Sequence, residues 1–488
     1  MRETLKRFIK LTAGYSLITL LGPLFTIILT PLYTRVLTPA DYGVVEVALT
    51  LASFCVMIAT LGMDQALSAY YFDRTTPEHP RNLVTTAILC ATGMSTLFSL
   101  IVLMLARPLA VGLFKDVGRI YLMYFLATYI LAAPIVSIVT AALRLRMGLK
   151  RVNALALISL LITVTTNAVM ILGLRLKATG IIAATALTSV LVSSLGLVLV
   201  WQPLRGQFDR ALAKPLLRAG ASLALGTLSL GMLSNVDRLI LTQFVHPTDL
   251  GLYSIANKLA SMAYVILSAG WNAWWPMALE MAGRPDGPRQ HARMFELFAA
   301  AAMLVALAIG LFAAEILNIF TRAAYIPAAP YTLILLIYTG PMGFIGVFFQ
   351  LGLYVRKQTY WVSIAYGLAA CFNILLNLLL NPLLGVWGAI LATLLAGGVW
   401  MTILYVVGQR ALRAPYRLGR VALLGLVYLA LILFFFFTPN LNSVFLKLNL
   451  LAGFLIAVFV LGILSPSHVK LGLHAVSRGL FQLTKRGR

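Results

Sequence analysis

Apolar runs of about twenty residues follow one another along the whole chain, separated by short polar connections. A helix of this length crosses the hydrocarbon core of a bilayer. The pattern therefore predicts an all-α polytopic membrane protein with about fourteen transmembrane helices. The predicted spans are residues 12–32, 42–63, 83–106, 118–143, 153–173, 179–200, 217–241, 250–275, 294–316, 328–352, 361–381, 386–408, 420–437 and 447–464.

The composition supports the membrane class. Of the 488 residues, 61% are hydrophobic and 11% are charged, which is more apolar surface than one soluble core would bury. The longest connections have about 18 to 20 residues, too few for an extramembrane domain. Residues 2–10, which include Arg2, Lys6, Arg7 and Lys10, lead directly into the first apolar run. We therefore interpret that run as a retained span.

The positions of Lys and Arg predict the orientation. With the N-terminus placed inside, 28 of the 38 basic residues fall on inside segments and 8 on outside segments. Cytoplasmic loops carry an excess of Lys and Arg, so we expect both termini in the cytoplasm. The basic residues predicted outside are Arg35, Arg107, Lys115, Arg119, Arg175, Lys177, Arg322 and Lys447.

A sixteen-residue stretch occurs twice, 208 positions apart. Residues 38–53 read TPADYGVVEVALTLAS, residues 246–261 read HPTDLGLYSIANKLAS, and the two are identical at seven positions. Each copy begins with Pro-x-Asp-x-Gly, which is typical of a turn into a helix, and continues with apolar residues. Two copies at a fixed offset indicate two homologous halves.

Each half contains six predicted spans. Because six is even, the halves have the same orientation and should be related by a pseudo-twofold axis along the membrane normal. We therefore predict an N-terminal lobe at 1–208 and a C-terminal lobe at 209–412. Residues 413–488 would hold the last two spans and a basic cytoplasmic tail.

Several kinds of chemistry have no motif in this chain. There is no G-x-x-x-x-G-K-[ST] nucleotide loop and no H-E-x-x-H zinc motif. Cys55, Cys90 and Cys371 all fall in apolar runs without metal-ligand spacing. The net charge of +24 follows largely from the basic inside segments. We expect no cofactor, no metal, no nucleic acid partner and no enzymatic activity.

The candidate site consists of ionisable residues at membrane depth, which are costly in hydrocarbon and usually face a cavity or a bundle interior. In the repeat, Lys258 corresponds to Thr50, which lies one turn from Glu46, so Lys258 and Glu46 should approach one central space. Asp237 and Arg238 are adjacent and point about 100° apart. The alternative is that Glu46, Lys258, Asp237 and Arg238 only pair with each other. For Asp64 and Arg35, which are near span ends, the alternative is anchoring at the membrane interface. The set is Arg35, Glu46, Asp64, Asp237, Arg238 and Lys258.

These features resemble the Wzx-type flippases, the polysaccharide-exporter branch of the multidrug/oligosaccharidyl-lipid/polysaccharide superfamily. The resemblance lies in PLYTRVLTPADYG at 31–43, Leu61-Gly62 and DRLIL at 237–241. It continues in DLGLYSIA at 249–256 and GVWGA at 385–389, and covers the first twelve spans.

The resemblance implies two six-helix lobes around a central cavity that is open to each side in turn. It implies carriage of an undecaprenyl-diphosphate-linked oligosaccharide to the outer leaflet of the bacterial plasma membrane for O-antigen or exopolysaccharide synthesis. Polysaccharide polymerase and chain-length proteins are the partners it suggests. A diphosphate needs cations in a shielded cavity. We assign Lys258 to the headgroup, with Arg238 and Arg35 in support and Arg144 and Arg146 at the inner mouth.

Three alternatives remain open at this point. A drug or cation antiporter of the same superfamily would use acidic residues, and Asp64, Glu46 and Asp237 could couple transport to an ion. A lipid II-type flippase would share the fold. A membrane polymerase or glycosyltransferase would usually carry a large extramembrane loop with acid and base residues, which the chain lacks.

Overall fold

The computed structural model describes residues 29–72, 79–146, 149–204, 206–438 and 443–464. Within these ranges all the regular secondary structure is helical. The predicted first span up to residue 28 and the basic tail lie outside the described residues. The α-helices are α1 (Pro39–Thr60), α2 (Met63–Tyr70), α3 (His79–Met104), α4 (Ala106–Phe114), α5 (Tyr121–Leu145), α6 (Leu149–Ala168), α7 (Lys177–Leu204), α8 (Arg210–Leu241), α9 (Pro247–Met281), α10 (Gly287–Leu311), α11 (Ala313–Phe320), α12 (Ala329–Ile337), α13 (Gly343–Phe348), α14 (Leu351–Val355), α15 (Tyr360–Leu384), α16 (Val386–Ala411), α17 (Leu418–Phe437) and α18 (Val444–Val460).

The prediction of an all-α polytopic membrane protein is confirmed. In the described part of the chain, 12 helices are long and apolar enough to cross a membrane. The apolar helix α18 is shorter, with 17 residues. The count of fourteen spans is not confirmed by these residues.

The start of the repeat forms a capped helix end. Thr38 is the N-cap of α1, and its Oγ1 accepts a hydrogen bond from the Asp41 backbone N–H at 3.2 Å. Asp41 Oδ2 in turn accepts from the Thr38 N–H, at 3.4 Å. Together these bonds make a capping box, and Pro39 supplies the first helical residue.

In the structure, the helical backbone is broken close to the end of the second predicted span. Leu61 and Gly62 adopt left-handed conformations, with φ of 46° and 60°, and these end α1 before α2 begins. A Cβ on Gly62 would lie 2.5 Å from the Gly220 carbonyl oxygen, so the break brings the backbone directly against α8. Gly62 and Gly220 have no side chains, so the two backbones can lie in direct contact.

One compact unit contains the described residues up to Ala256, together with Leu317–Ala328 and Tyr360–Trp400. In it, α5 packs against α3 and α7, and α15 packs along α8. The buried face of α15 carries an amide ladder, in which the Asn381 Nδ2 donates to Asn377 Oδ1 and the Asn377 Nδ2 donates to Asn373 Oδ1. These bonds run along a single helix and satisfy part of the hydrogen-bonding capacity of its buried amides.

A second compact unit contains Asn257–Ile316, Ala329–Thr359 and the described residues from Met401 onward. Its core includes a cluster of rings in which Tyr416 packs on Phe295 at 4.8 Å and on His291 at 6.0 Å between centroids. Burial raises the pKa of Tyr416, since the phenolate would lose its hydration.

These compact units do not follow the predicted lobe boundary at residue 208, because the first contains residues of both sequence halves. The lobe prediction concerns the superposition of one half on the other. It stays a prediction.

Candidate functional site

Three of the predicted site residues lie together in the first compact unit, where α1 packs against α8. Glu46 comes from the second turn of α1, and Asp237 and Arg238 come from the last turns of α8. Glu46 is 8% exposed and Asp237 is 3% exposed. Since charges at this depth need partners or water, the contacts of each group decide what it can do.

Arg238 makes polar contacts to two helices. Its Nη1 lies 3.8 Å from Glu46 Oε2, and both side chains are nearly buried. The same Nη1 donates to Asn235 Oδ1 at 2.9 Å, one turn earlier on α8. The guanidinium therefore links α8 to α1 while Asn235 orients it. Screening by water is weak there, so the ion pair is stronger than it would be at the surface.

Asp237 is held by donors on both oxygens. Its Oδ1 accepts from the Arg238 backbone N–H at 2.8 Å, and its Oδ2 accepts from the hydroxyl of Tyr253 on α9. Tyr253 has no exposed surface, and its hydroxyl also bonds the Thr393 side chain. Asp237 thus joins α8 to the second turn of α9 through a buried tyrosine.

Glu46 has a second neighbour on its own helix. Tyr42 lies one turn before it, is fully buried, and hydrogen-bonds the Glu46 carboxylate. The Tyr42 ring meets the Tyr325 ring edge-on, with centroids 6.1 Å apart, and the Tyr325 hydroxyl donates to the Leu37 carbonyl at 3.1 Å. These contacts hold the Tyr42 ring in place, and its hydrogen bond in turn orients the Glu46 carboxylate.

The cluster brings opposite charges together. Glu46 and Asp237 supply carboxylates and Arg238 supplies a guanidinium. The predicted role of Arg238 toward a diphosphate and the predicted ion coupling by Glu46 and Asp237 both stay predictions.

The other predicted site residues lie at helix ends or along α9. Arg35 is exposed at the end of the helical segment 29–36, and Arg144 and Arg146 are exposed at the end of α5. Asp64 lies just after the break between α1 and α2, where its Oδ2 accepts from Ser137 Oγ at 3.1 Å. Lys258 is half-buried on α9, in the second compact unit. Their roles toward a substrate stay predictions.

Sequence reasoning did not select Tyr42, Tyr253 or Asn235. A tyrosine in an apolar helix has no distinctive pattern, because it also serves as an ordinary core residue. The helical spacing of Tyr42 to Glu46 and of Asn235 to Arg238 was available in the sequence as a signal.

Lys447, which the sequence predicts at the outside end of the last span, lies in the first turn of α18 with no exposed surface. The side of the membrane on which it lies stays a prediction. Its Nζ pairs with Glu315 Oε1 on α11 and lies over the Phe312 and Phe435 rings, 5.2 Å and 5.5 Å from their centroids. The apolar character of α18 hid this ion pair from the sequence pattern.

In the described residues, no group of three His, Cys, Asp or Glu side chains could hold a metal ion.

The fold is that of the transporters of the multidrug/oligosaccharidyl-lipid/polysaccharide (MOP) superfamily. The chain is similar to an inward closed conformation of the lipid II flippase MurJ, with 12% identity, 92% of this chain and 97% of that chain covered, and a TM-score of 0.74. An inward-facing multidrug resistance MATE transporter of the MOP superfamily gives 14% identity over 80% of this chain and 94% of that one, with a TM-score of 0.61. A MOP superfamily transporter from Pyrococcus furiosus gives 12% identity, coverage of 82% and 94%, and a TM-score of 0.54.

Residues 32–273 match the model of a family of polysaccharide biosynthesis proteins. No curated protein sequence matches the chain. The family match and the structural neighbours confirm the resemblance predicted from the motifs. The solved neighbours are a lipid II flippase and a multidrug transporter, and the likeness to them shows the fold. With 12 helices in the described residues long and apolar enough to cross a membrane, the chain is a multi-pass membrane protein.

Proposed function

We propose that this protein moves an undecaprenyl-diphosphate-linked oligosaccharide from the cytoplasmic to the outer leaflet of the bacterial plasma membrane. The observation that carries the proposal is the match of residues 32–273 to polysaccharide biosynthesis proteins on a MOP-superfamily fold. That combination favours a glycan substrate over a drug, since the fold alone is shared by both kinds of transporter. Both termini would lie in the cytoplasm.

The mechanism would be alternating access, driven by an ion. Two six-helix lobes would rock around a central cavity. The cluster of Glu46, Asp237 and Arg238 connects α1, α8 and α9, so a change of its charge would alter the contacts among these three helices. Protonating one carboxylate would weaken its hold on Arg238 or Tyr253. This provides a route from ion binding to helix movement.

The diphosphate would be bound by cationic side chains. Lys258 is the assigned residue, since it is half-buried on a predicted span, with Arg238 and Arg35 in support and Arg144 and Arg146 at the inner mouth. A phosphate gains most from cations that water does not screen.

The test is deletion of the gene followed by analysis of the lipid-linked glycans that accumulate. We expect one such glycan to build up on the cytoplasmic leaflet and surface polysaccharide to be lost, with recovery on expression of the intact chain. Accumulation on the outer leaflet, or no accumulation, would exclude the proposal.

Variants in the deletion strain separate the roles of Lys258. If Lys258 binds the headgroup, Lys258→Met and the double variant Lys258→Met with Glu46→Gln should both be inactive while present at normal level in the membrane. If Lys258 only neutralises Glu46, the double variant should flip better than the single one. Near-normal flipping by the double variant would remove the headgroup role.

A cation antiporter is the second candidate, and the two buried carboxylates of Glu46 and Asp237 favour it. It predicts that cells lacking the gene become sensitive to cationic drugs and keep normal surface polysaccharide. Flippase function predicts unchanged sensitivity to cationic drugs and loss of surface polysaccharide.

A further inference from the structure

A cavity of about 240 Å³ lies in the first compact unit, between the start of α1, the residues around the start of α5 and the start of α7. Three cationic side chains line it, those of Arg119, Arg175 and Lys177, against the single carboxylate of Asp41. The volume corresponds to roughly eight water molecules. It therefore has room for a small anionic group.

The negative charges near this cavity are engaged. Asp41 Oδ2 accepts from Thr38 Oγ1 at 2.8 Å within the capping box of α1. Arg119 uses its Nε to bind Asp116 at 3.2 Å, which leaves its terminal nitrogens available. In the described part of the chain, neither Arg175 nor Lys177 forms an ion pair. The cavity thus carries a surplus of positive charge.

Neutral donors complete the lining. The first residues of α7 line the cavity, and the N-terminal end of a helix favours negative charge. The hydroxyls of Tyr121 and Thr179, 3.0 Å apart, line it as well. Guanidinium, ammonium and hydroxyl groups around a small cavity match the acceptor oxygens of a phosphate group.

We propose that this cavity binds the phosphate of a lipid headgroup. The headgroup would be either the diphosphate of the carried lipid or an anionic phospholipid. Arg119, Arg175 and Lys177 are three of the eight basic residues predicted outside, a side on which basic residues are depleted. Their convergence on one cavity at that side suits a site that receives a diphosphate as it leaves the transporter. This step rests on the proposed function and orientation, whereas phosphate binding itself does not.

The backbone conformation of two of these cationic residues suggests a substitution that removes charge without adding strain. Arg175 and Lys177 have left-handed φ angles of 52° and 46°. Asn tolerates this region better than most residues, so Arg175→Asn with Lys177→Asn removes two charges without adding backbone strain. Lys357→Asn is the matched control, because Lys357 is also exposed, has a φ of 58° and does not line the cavity.

Binding is measured on the full chain in nanodiscs of neutral lipid, by thermal stabilisation with inorganic pyrophosphate. We expect the double variant to bind pyrophosphate about tenfold or more weakly than the native chain, since each charge-assisted hydrogen bond contributes substantially. Lys357→Asn should bind as the native chain does. A second arm measures retention of phosphatidylglycerol over phosphatidylcholine by native mass spectrometry.

The outcomes separate the two sources of phosphate. Loss of pyrophosphate binding supports a site for the diphosphate, and loss of phosphatidylglycerol retention alone supports a phospholipid site. Unchanged binding in both arms, or equal loss in Lys357→Asn, overturns the proposal. Because neither arm measures flipping, failure here leaves the proposed function standing, and a chain that does not flip can still bind pyrophosphate.

Discussion

Gly43 and Gly251 occupy the same position in the two copies of the repeat, and in the fold they face each other. A Cβ on Gly251 would lie 1.8 Å from the Pro39 carbonyl oxygen, and one on Gly43 would lie 2.4 Å from the Pro247 carbonyl oxygen. The contact is reciprocal, as expected for two copies related by a local twofold axis. The shared glycine is therefore needed because the starts of α1 and α9 meet backbone to backbone.

Gly251→Ala should destabilise the protein by about 1–3 kcal/mol, because the added methyl group would overlap the Pro39 carbonyl and force the two helix ends apart. The measurement is the midpoint of thermal unfolding of the purified chain in detergent. Gly93→Ala is the control, since a Cβ at Gly93 meets nothing within 4 Å. Equal midpoints for both variants would contradict the contact.

Arg238→Gln should destabilise the protein by about 3 kcal/mol or more, because it leaves the buried carboxylates of Glu46 and Asp237 without their cation. Adding Glu46→Gln should recover much of the loss. Both are followed by chemical unfolding in detergent. If the double variant is no more stable than Arg238→Gln alone, the pair is not coupled.

Tyr253→Phe should destabilise the protein by about 1–3 kcal/mol, because Asp237 Oδ2 would lose its donor in a buried site. Unfolding midpoints check this. Tyr360→Phe is the control, since Tyr360 is 56% exposed. A Tyr253→Phe chain as stable as the native one would show that the hydroxyl is dispensable.

Lys447→Met should destabilise the protein by about 1–2 kcal/mol, because it leaves Glu315 without its partner while water reaches the Glu315 side chain, which is 37% exposed, and reduces the cost. The double variant Lys447→Met with Glu315→Gln should be close to native, and the exposed Lys357→Met serves as control. Detergent unfolding distinguishes the three. A double variant as unstable as the single one argues against the ion pair.

The predicted orientation can be checked with single cysteines at Arg107 and Arg144, which are both exposed at helix ends. With Cys55, Cys90 and Cys371 replaced, an impermeant maleimide should label Arg107→Cys in intact cells. It should label Arg144→Cys only after the membrane is permeabilised. The opposite pattern would reverse the topology.

The sequence by itself determined the membrane class, the helical fold and the repeat. Each depends on a local property, since an apolar run long enough to span a bilayer has to form a helix to satisfy its backbone hydrogen bonds. The same argument singled out Glu46, Asp237 and Arg238, because a charge inside an apolar run is unusual wherever the helix packs. The Pro-x-Asp-x-Gly turn was also readable from the sequence.

Only the tertiary structure decided which of these groups meet. Arg238 contacts Glu46, Tyr253 holds Asp237, and Lys447 reaches Glu315 across 132 positions of chain. Such pairs depend on the rotation and crossing of packed helices, which hydrophobic periodicity does not specify in a helix that is apolar on every side. The backbone contact of Gly43 with Gly251 belongs to the same category, since a glycine in a turn has the same sequence signature whether or not another backbone lies against it.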